Sequence, residues 1–195
     1  MGKKSKNASG SGAAEMTCDQ LERLARLIRS AGHSTGLHPV QWEALRYLAR
    51  ANRFSNSPGA LAKYLGATKG TVSQTVLALV KKDLVSKSAR PADSRSVALK
   101  LTEQGTKILS DDPLQHLEKS IAALNDKTQK RFSKGVAEIL QGEYSRQNEP
   151  SFGTCPSCRF YRDGGSSDPD YCMQLKVDLK SEEIKLICVE HVYAN

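Results

Sequence analysis

The chain has 195 residues, 38% of them hydrophobic and 26% charged, which is enough for one sizeable domain with its own core and an appendage. No apolar run reaches the roughly eighteen residues that a membrane span requires. The net charge of +8 is uneven, with +10 on residues 1–150 and −2 on residues 151–195, so the larger part is suited to a polyanionic partner, most often nucleic acid.

The N-terminal stretch "MGKKSKNASGSGAAEM" carries lysines but no apolar segment of a secretory signal. Residues 1–14 are expected to be a disordered basic tail, and a cytoplasmic location follows. Thr17 is placed to cap a first amphipathic helix, with Leu21, Leu24, Leu27 and Ile28 at helical spacing and an end near Gly32. A second helix is expected from about Val40 to Asn52, with Trp42, Leu45 and Leu48 on one face. "SPGALAKYLG" reads as a short third helix, with Ser57 as cap, Pro58 in its first turn and Gly66 as stop.

"ATKGTVSQTVLALVKKD" is the fourth helix. Its periodicity turns Val72, Val76, Leu79 and Val80 inward and Gly70, Ser73, Gln74, Leu77 and Lys81 outward, with Thr68, Lys69 and Thr71 at its start. Small polar residues and Lys at a helix N-terminus suit a major groove, and Gln74 has the amide that reads an adenine edge. "LVSKSARPADSRSVALKLT" then reads as strand, turn and strand. Beyond it the chain is largely helical to about residue 146, with a kink or helix start at Pro113 and a break at Asn125 or Asp126. The fold class is mainly α (α+β): a winged helix-turn-helix over residues 15–146 with flanking dimerisation helices, followed by a small cysteine-rich module over 147–195.

The stretch from "LHPVQWEALRYL" through "SPGALAKYLGATKGTVSQTVLALVKKDLVSKSARPADSRSVALKLTEQG" resembles the MarR (multiple-antibiotic-resistance regulator) family of bacterial transcription factors. The resemblance implies a homodimer, built through the first and last helices, that binds double-stranded DNA at a pseudo-palindromic operator, in most cases as a repressor. The sequence offers no acid/base pair, nucleophile constellation or phosphate-cradling Gly loop, so no enzymatic activity is expected, and no membrane association. The outward face and first turn of the fourth helix are expected to contact DNA through Thr68, Lys69, Gly70, Thr71, Ser73, Gln74 and Lys81, and the resemblance implies Arg95 at the wing tip in a minor groove with Asp93 holding its pose. Two features depart from the family pattern. The middle of the fourth helix lacks the usual arginines, and Asp83 stands where a Gly is common after that helix, a residue that still tolerates the left-handed conformation.

The tail carries four of the five cysteines as Cys155-x2-Cys158-x13-Cys172-x15-Cys188, with His191 three residues later. Reduced cytosolic thiols at such spacing point to metal or redox chemistry before disulfides. Some forty residues with so few apolar side chains also need a bound metal to fold alone. The first candidate is an iron–sulfur cluster, [4Fe–4S] or [2Fe–2S], on Cys155, Cys158, Cys172 and Cys188, sensing redox state, oxygen or iron. The alternative is Zn2+, with His191 as a possible ligand, in a structural site of a regulator that answers to a small molecule. A third reading is a protein-interaction module without DNA binding. Cys18, in the first turn of the first helix, is expected to be a bystander.

Overall fold

The computed structural model describes residues 7–31, 36–90, 93–147 and 149–194. Helices α1 (Asn7–Ala31), α2 (Pro39–Arg50), α3 (Pro58–Tyr64) and α4 (Lys69–Lys81) come first. A two-stranded antiparallel wing follows, β1 (Val85–Arg90) and β2 (Asp93–Leu101). Then come α5 (Glu103–Ile108), a 3-10 turn (Leu109–Asp111), α6 (Gln115–Ala122) and α7 (Asp126–Gln147). The cysteine segment holds a 3-10 turn (Cys155–Ser157) and a three-stranded sheet in the order β3 (Tyr161–Arg162), β4 (Asp170–Cys172) and β5 (Val177–Leu179).

Local signals set the ends of the central helices. The Ser57 and Thr68 hydroxyls accept the amides of Ala60 and Thr71, each satisfying an otherwise orphan first-turn donor. Gly66 takes a left-handed φ of 57°, which stops α3, and Asp83 takes the left-handed turn after α4 at φ 56°. Asn125 Oδ1 accepts the Thr128 amide at the start of α7. Gly105 in α5 lies directly against the Leu84 carbonyl, where a Cβ has no room.

The core packs Trp42, Leu45, Tyr47 and Leu48 of α2 against Leu61 of α3, Val72, Val76 and Leu79 of α4, and Leu84, Val85 and Leu99 of the wing. At its edge, Arg46 makes a two-pronged ion pair with Asp112, both contacts at 2.6 Å. A third Asp112 bond, from the Leu114 amide, fixes the bend before α6.

Four sequence expectations are corrected. Helix α1 begins at Asn7, so the part of the basic tail over residues 7–14 is helical, while residues 1–6 lie outside the described residues. No proline interrupts that stretch, and Ala13, Ala14 and Glu15 favour helix. Thr17 is therefore no cap: its hydroxyl donates to the Ala13 carbonyl within the helix at 2.8 Å. Val80 is 37% exposed near the end of α4 and Thr75 is buried in its stead, its hydroxyl satisfied by the Thr71 carbonyl at 3.0 Å. Helix α7 ends at Gln147, within a residue of the expected end of the helical stretch.

The fourth correction is the largest. The cysteine segment is not a separate module with a core of its own. Phe152 and Ile187 belong to the same buried cluster as Tyr47 and Leu61. Phe152 adopts a left-handed φ of 48° to turn its ring inward, edge-on to Tyr64 at 5.2 Å and to Tyr47 at 6.4 Å. The winged-helix lobe thus supplies the apolar surface that the segment lacks.

Candidate functional site

On α4 the buried and exposed faces separate cleanly at its start. Val72, Val76 and Leu79 are at most 1% exposed, while Thr68, Lys69, Gly70, Thr71, Ser73, Gln74 and Lys81 lie on the accessible side. The Thr68 and Thr71 hydroxyls are hydrogen-bonded to each other at 3.0 Å, so the first turn presents an ordered polar edge. The structure adds a residue that the sequence reading missed. Lys87, on β1, joins Lys69 and Ser73 along a groove of about 340 Å3 floored by Pro58 and Val76. Nothing in the local sequence marks Lys87, because only the fold of the wing brings it beside α4. The side chains of Asp93 and Arg95 lie outside the described residues; the backbone of Asp93 pairs with Arg90 across the wing.

The four tail cysteines converge. Cys155 opens the 3-10 turn, whose Cys158 amide donates back to the Cys155 carbonyl at 2.8 Å and closes the C-x2-C loop. Cys172 lies on β4, opposite Tyr161 and Val177. Cys188 follows Ile187, and its amide donates to the Gly153 carbonyl at 3.0 Å. All four thiols line one small cavity, together with Tyr161, Leu179, Glu190 and His191, and none is in a disulfide. Cys18, exposed on α1, is not among the residues that line it.

The electrostatics follow from that convergence. Burial pushes the Cys155 thiol up to about 11, and the neighbouring Cys188, Cys158 and Cys172 add to the rise. Burial also pushes Cys188 up, while hydrogen bonds from the Asn52 side chain, the Glu190 backbone and the Ser55 side chain favour its thiolate. Clustered thiols that resist deprotonation alone are relieved by a cation that takes the place of their protons. Even so, among the described residues no three His, Cys, Asp or Glu side chains form a ready set for a single metal ion.

His191 is engaged elsewhere. Its Nδ1 lies 2.5 Å from the Ser151 hydroxyl and its Nε2 3.0 Å from the Ser157 hydroxyl. The ring stands edge-on to Tyr193 at 4.8 Å, and Gly153 passes so close that an added Cβ would sit 2.5 Å from Nε2. Burial lowers its pKa and favours the neutral imidazole. In this arrangement His191 ties Ser151 to the Cys155–Ser157 turn through its two ring nitrogens, and ligation would cost it one of these bonds.

The segment docks on the turn between α2 and α3. The Ile187 amide donates to the Arg50 carbonyl at 2.7 Å, and the Asn52 amide donates to the Ile187 carbonyl at 3.0 Å. The Val189 amide donates to the Ser55 hydroxyl at 2.8 Å, and Arg53 pairs with the buried Glu183 carboxylate at 3.1 Å.

Among the described residues, no helix is long and apolar enough to cross a membrane. No curated protein is significantly similar in sequence. Many solved structures are similar in fold, three of them as follows. A MarR transcriptional regulator from Methanosarcina mazei Go1 matches with a TM-score of 0.56 at 21% identity, over 67% of this chain and 98% of that one. The YusO protein from Bacillus subtilis matches at 0.50 and 16%, over 71% and 99%. The S. aureus MepR–DNA complex matches at 0.51 and 18%, over 64% and 96%. Residues 35–96, which hold the helix-turn-helix and most of the wing, match the model of the MarR family, and that segment has a winged-helix fold like that of these structures.

Proposed function

We propose that the protein is a dimeric, DNA-binding transcriptional regulator, a repressor, whose four tail cysteines hold an iron–sulfur cluster that reports redox state, oxygen or iron supply. The DNA reading is supported by the exposed polar edge of α4 beside the cationic wing, and by the fold it shares with a regulator solved on DNA. Lys69, Lys81 and Lys87 supply phosphate contacts, Thr68, Gly70, Thr71 and Ser73 allow close approach, and Gln74 reads a base edge. Arg95 would enter the minor groove, steadied by Asp93. Dimer formation is supported by the apolar side chains that α1 and α7 leave in solvent: Leu21, Leu27, Phe132, Ile139 and Leu140 are 38–66% exposed.

The single observation that carries the cofactor reading is the convergence of Cys155, Cys158, Cys172 and Cys188 on one cavity. A bound iron–sulfur cluster supplies one-electron and oxygen-sensitive chemistry. The chain's own residues supply four thiolates, exclude water with Leu179 and Tyr161, and donate hydrogen bonds to Cys188. Both His191 nitrogens are engaged by serine hydroxyls, which supports a set of four thiolates, a set that suits a cluster and equally suits structural zinc. Because His191 also lines the cavity, structural zinc with a small-molecule effector is the second reading.

Protein purified without oxygen decides between them. A cluster gives brown protein that contains iron and sulfide, bleached in Cys172→Ser and retained in His191→Ala. Colourless protein with about one zinc per chain, lost in His191→Ala, would replace the cluster with zinc. A gel shift on a selected palindrome, with the oligomer measured by light scattering, tests the rest.

A further inference from the structure

Arg53 sits where the cysteine segment, the turn between α2 and α3 and the wing meet. Its side chain belongs to the segment: Nη1 pairs with the Glu183 carboxylate at 3.1 Å, and Nη2 donates to the Asp178 carbonyl of β5, also at 3.1 Å. Its main chain belongs to the wing. The Arg53 carbonyl accepts Arg90 Nη1 and Asn56 Oδ1 accepts Arg90 Nη2, both at 2.7 Å. The Asn56 carbonyl accepts the Leu99 amide of β2, again at 2.7 Å. The turn over residues 53–56 thus holds one residue from each strand of the wing.

We propose that Glu183 and Arg90 are positioning residues for DNA binding: the cysteine segment grips the Arg53 side chain, the turn so fixed grips Arg90, and Arg90 sets the direction of the wing. The proposal rests on the reading of the wing as a DNA contact and is independent of what the cysteines hold.

Arg90 stands where the wing is least fixed by its own bonds. The strands pair in register from Val85 opposite Leu101 to Ala89 opposite Val97, and the register then shifts so that Arg90 faces Asp93. Such a shift bends and twists the strand, and a two-stranded ribbon has little stability of its own. The direction of the wing beyond Ala89 therefore depends on what holds the residue at the shift. A guanidinium donates through a planar fork of fixed geometry, so two acceptors on one turn set its orientation as well as its distance. A lysine at this position would keep the charge and lose the fork.

The far end is anchored in the cysteine segment. Glu183 is 6% exposed, and its Oε2 also accepts the Lys180 amide at 3.1 Å. A carboxylate this deeply buried is left uncompensated if its partner swings away, so Arg53 is held there more firmly than in a surface ion pair. The Arg53 guanidinium also lies 4.6 Å from the centre of the Phe54 ring, a further favourable contact. Residues 35–96, which have the winged-helix fold, contain Arg53 and Arg90 but neither Asp178 nor Glu183. The support of the wing is thus completed from outside that segment.

The experiment compares full-length wild type with Glu183→Gln, Asn56→Ala and Arg90→Lys on a duplex selected by the wild type. Anisotropy reads affinity, hydroxyl-radical cleavage reads the minor groove under the wing, and guanine methylation reads the major groove under α4. Each variant should bind about tenfold more weakly, losing the minor-groove protection and keeping that of the major groove. In the free protein, Glu183→Gln should raise amide exchange at Leu99 about tenfold. Arg53→Lys, which keeps the charge beside Glu183 and gives up the bond to Asp178, should show the same pattern in smaller measure, and it carries the test if Glu183→Gln does not fold. Loss of both protections together would make Glu183 a structural residue only and overturn the proposal. Weak binding confined to Arg90→Lys, with Asn56→Ala and Glu183→Gln equal to the wild type, would make Arg90 a direct phosphate contact and overturn it as well. Wild type that binds no duplex would overturn the DNA reading, and the positioning roles with it.

Discussion

Ile187 and Ala51 form a parallel β-bridge, which fastens the cysteine segment to the end of α2. The bond pair on either side of it, to Arg50 and Asn52, leaves Ile187 5% exposed within the core of the winged helix. Cys188 is the next residue, so its position is set by the winged-helix lobe together with its own amide's bond to the Gly153 carbonyl.

One core implies one unfolding event. Phe152→Ala and Ile187→Ala should each cost about 2–4 kcal/mol through lost burial and the cavity left behind. In the wild type, Trp42 fluorescence and the accessibility of Cys155 to a thiol reagent should report the same melting temperature. Two separated transitions would show that the cysteine segment folds independently of α2.

The aromatic junction carries a pH signature. Burial raises the pKa of Tyr47 well above 10.0, and burial likewise raises Tyr64, with Arg50 nearby pulling it back. In the unfolded chain both phenols ionise near pH 10, while in the folded chain they stay protonated. The unfolded state therefore binds fewer protons above that pH, and stability falls as pH rises. Their contribution is complete below about pH 10 and is lost on the alkaline side. Tyr47→Phe should begin about 1 kcal/mol lower at pH 7, because the Ser55 carbonyl loses the hydroxyl that donates to it at 2.8 Å. It should then decline less steeply between about pH 10 and 11. Urea titrations across that range measure the slope, and an unaltered slope in the variant would assign alkaline unfolding to other groups.

The DNA face predicts two classes of variant. Lys69→Ala and Lys87→Ala should weaken binding to all sequences alike and lower the salt slope by about one unit each. Gln74→Ala should cost about 1–3 kcal/mol on the preferred operator and relax preference at one base pair per half-site. Fluorescence anisotropy at two salt concentrations on matched and substituted operators reads both. If Lys87→Ala binds as the wild type does at low salt, the groove between α4 and β1 is not a phosphate contact.

The parts of this protein that were legible in the sequence are those specified over a few residues. Ser57 and Thr68 cap helices because a hydroxyl reaches an amide three positions on. Asp83 takes the left-handed turn because its side chain tolerates it, and the spacing of Val72, Val76 and Leu79 turns one side of α4 inward. The grouping of four cysteines was visible as a pattern, although not as one cavity. The side of α4 taken by Thr75 and Val80 was misread, since burial of Thr75 depends on the Thr71 carbonyl accepting its hydroxyl proton. Only the tertiary structure decided where the tail goes. Its anchor is a pair of main-chain bonds between Ile187 and residues 50 and 52, and main-chain groups are the same whatever the side chain. Phe152 looks like a linker residue until Tyr47 and Tyr64 leave a gap of its shape, and His191 looks like a free ligand until Ser151 and Ser157 close on its two nitrogens. Those partners lie up to about a hundred residues away in the chain, beyond the reach of any local periodicity.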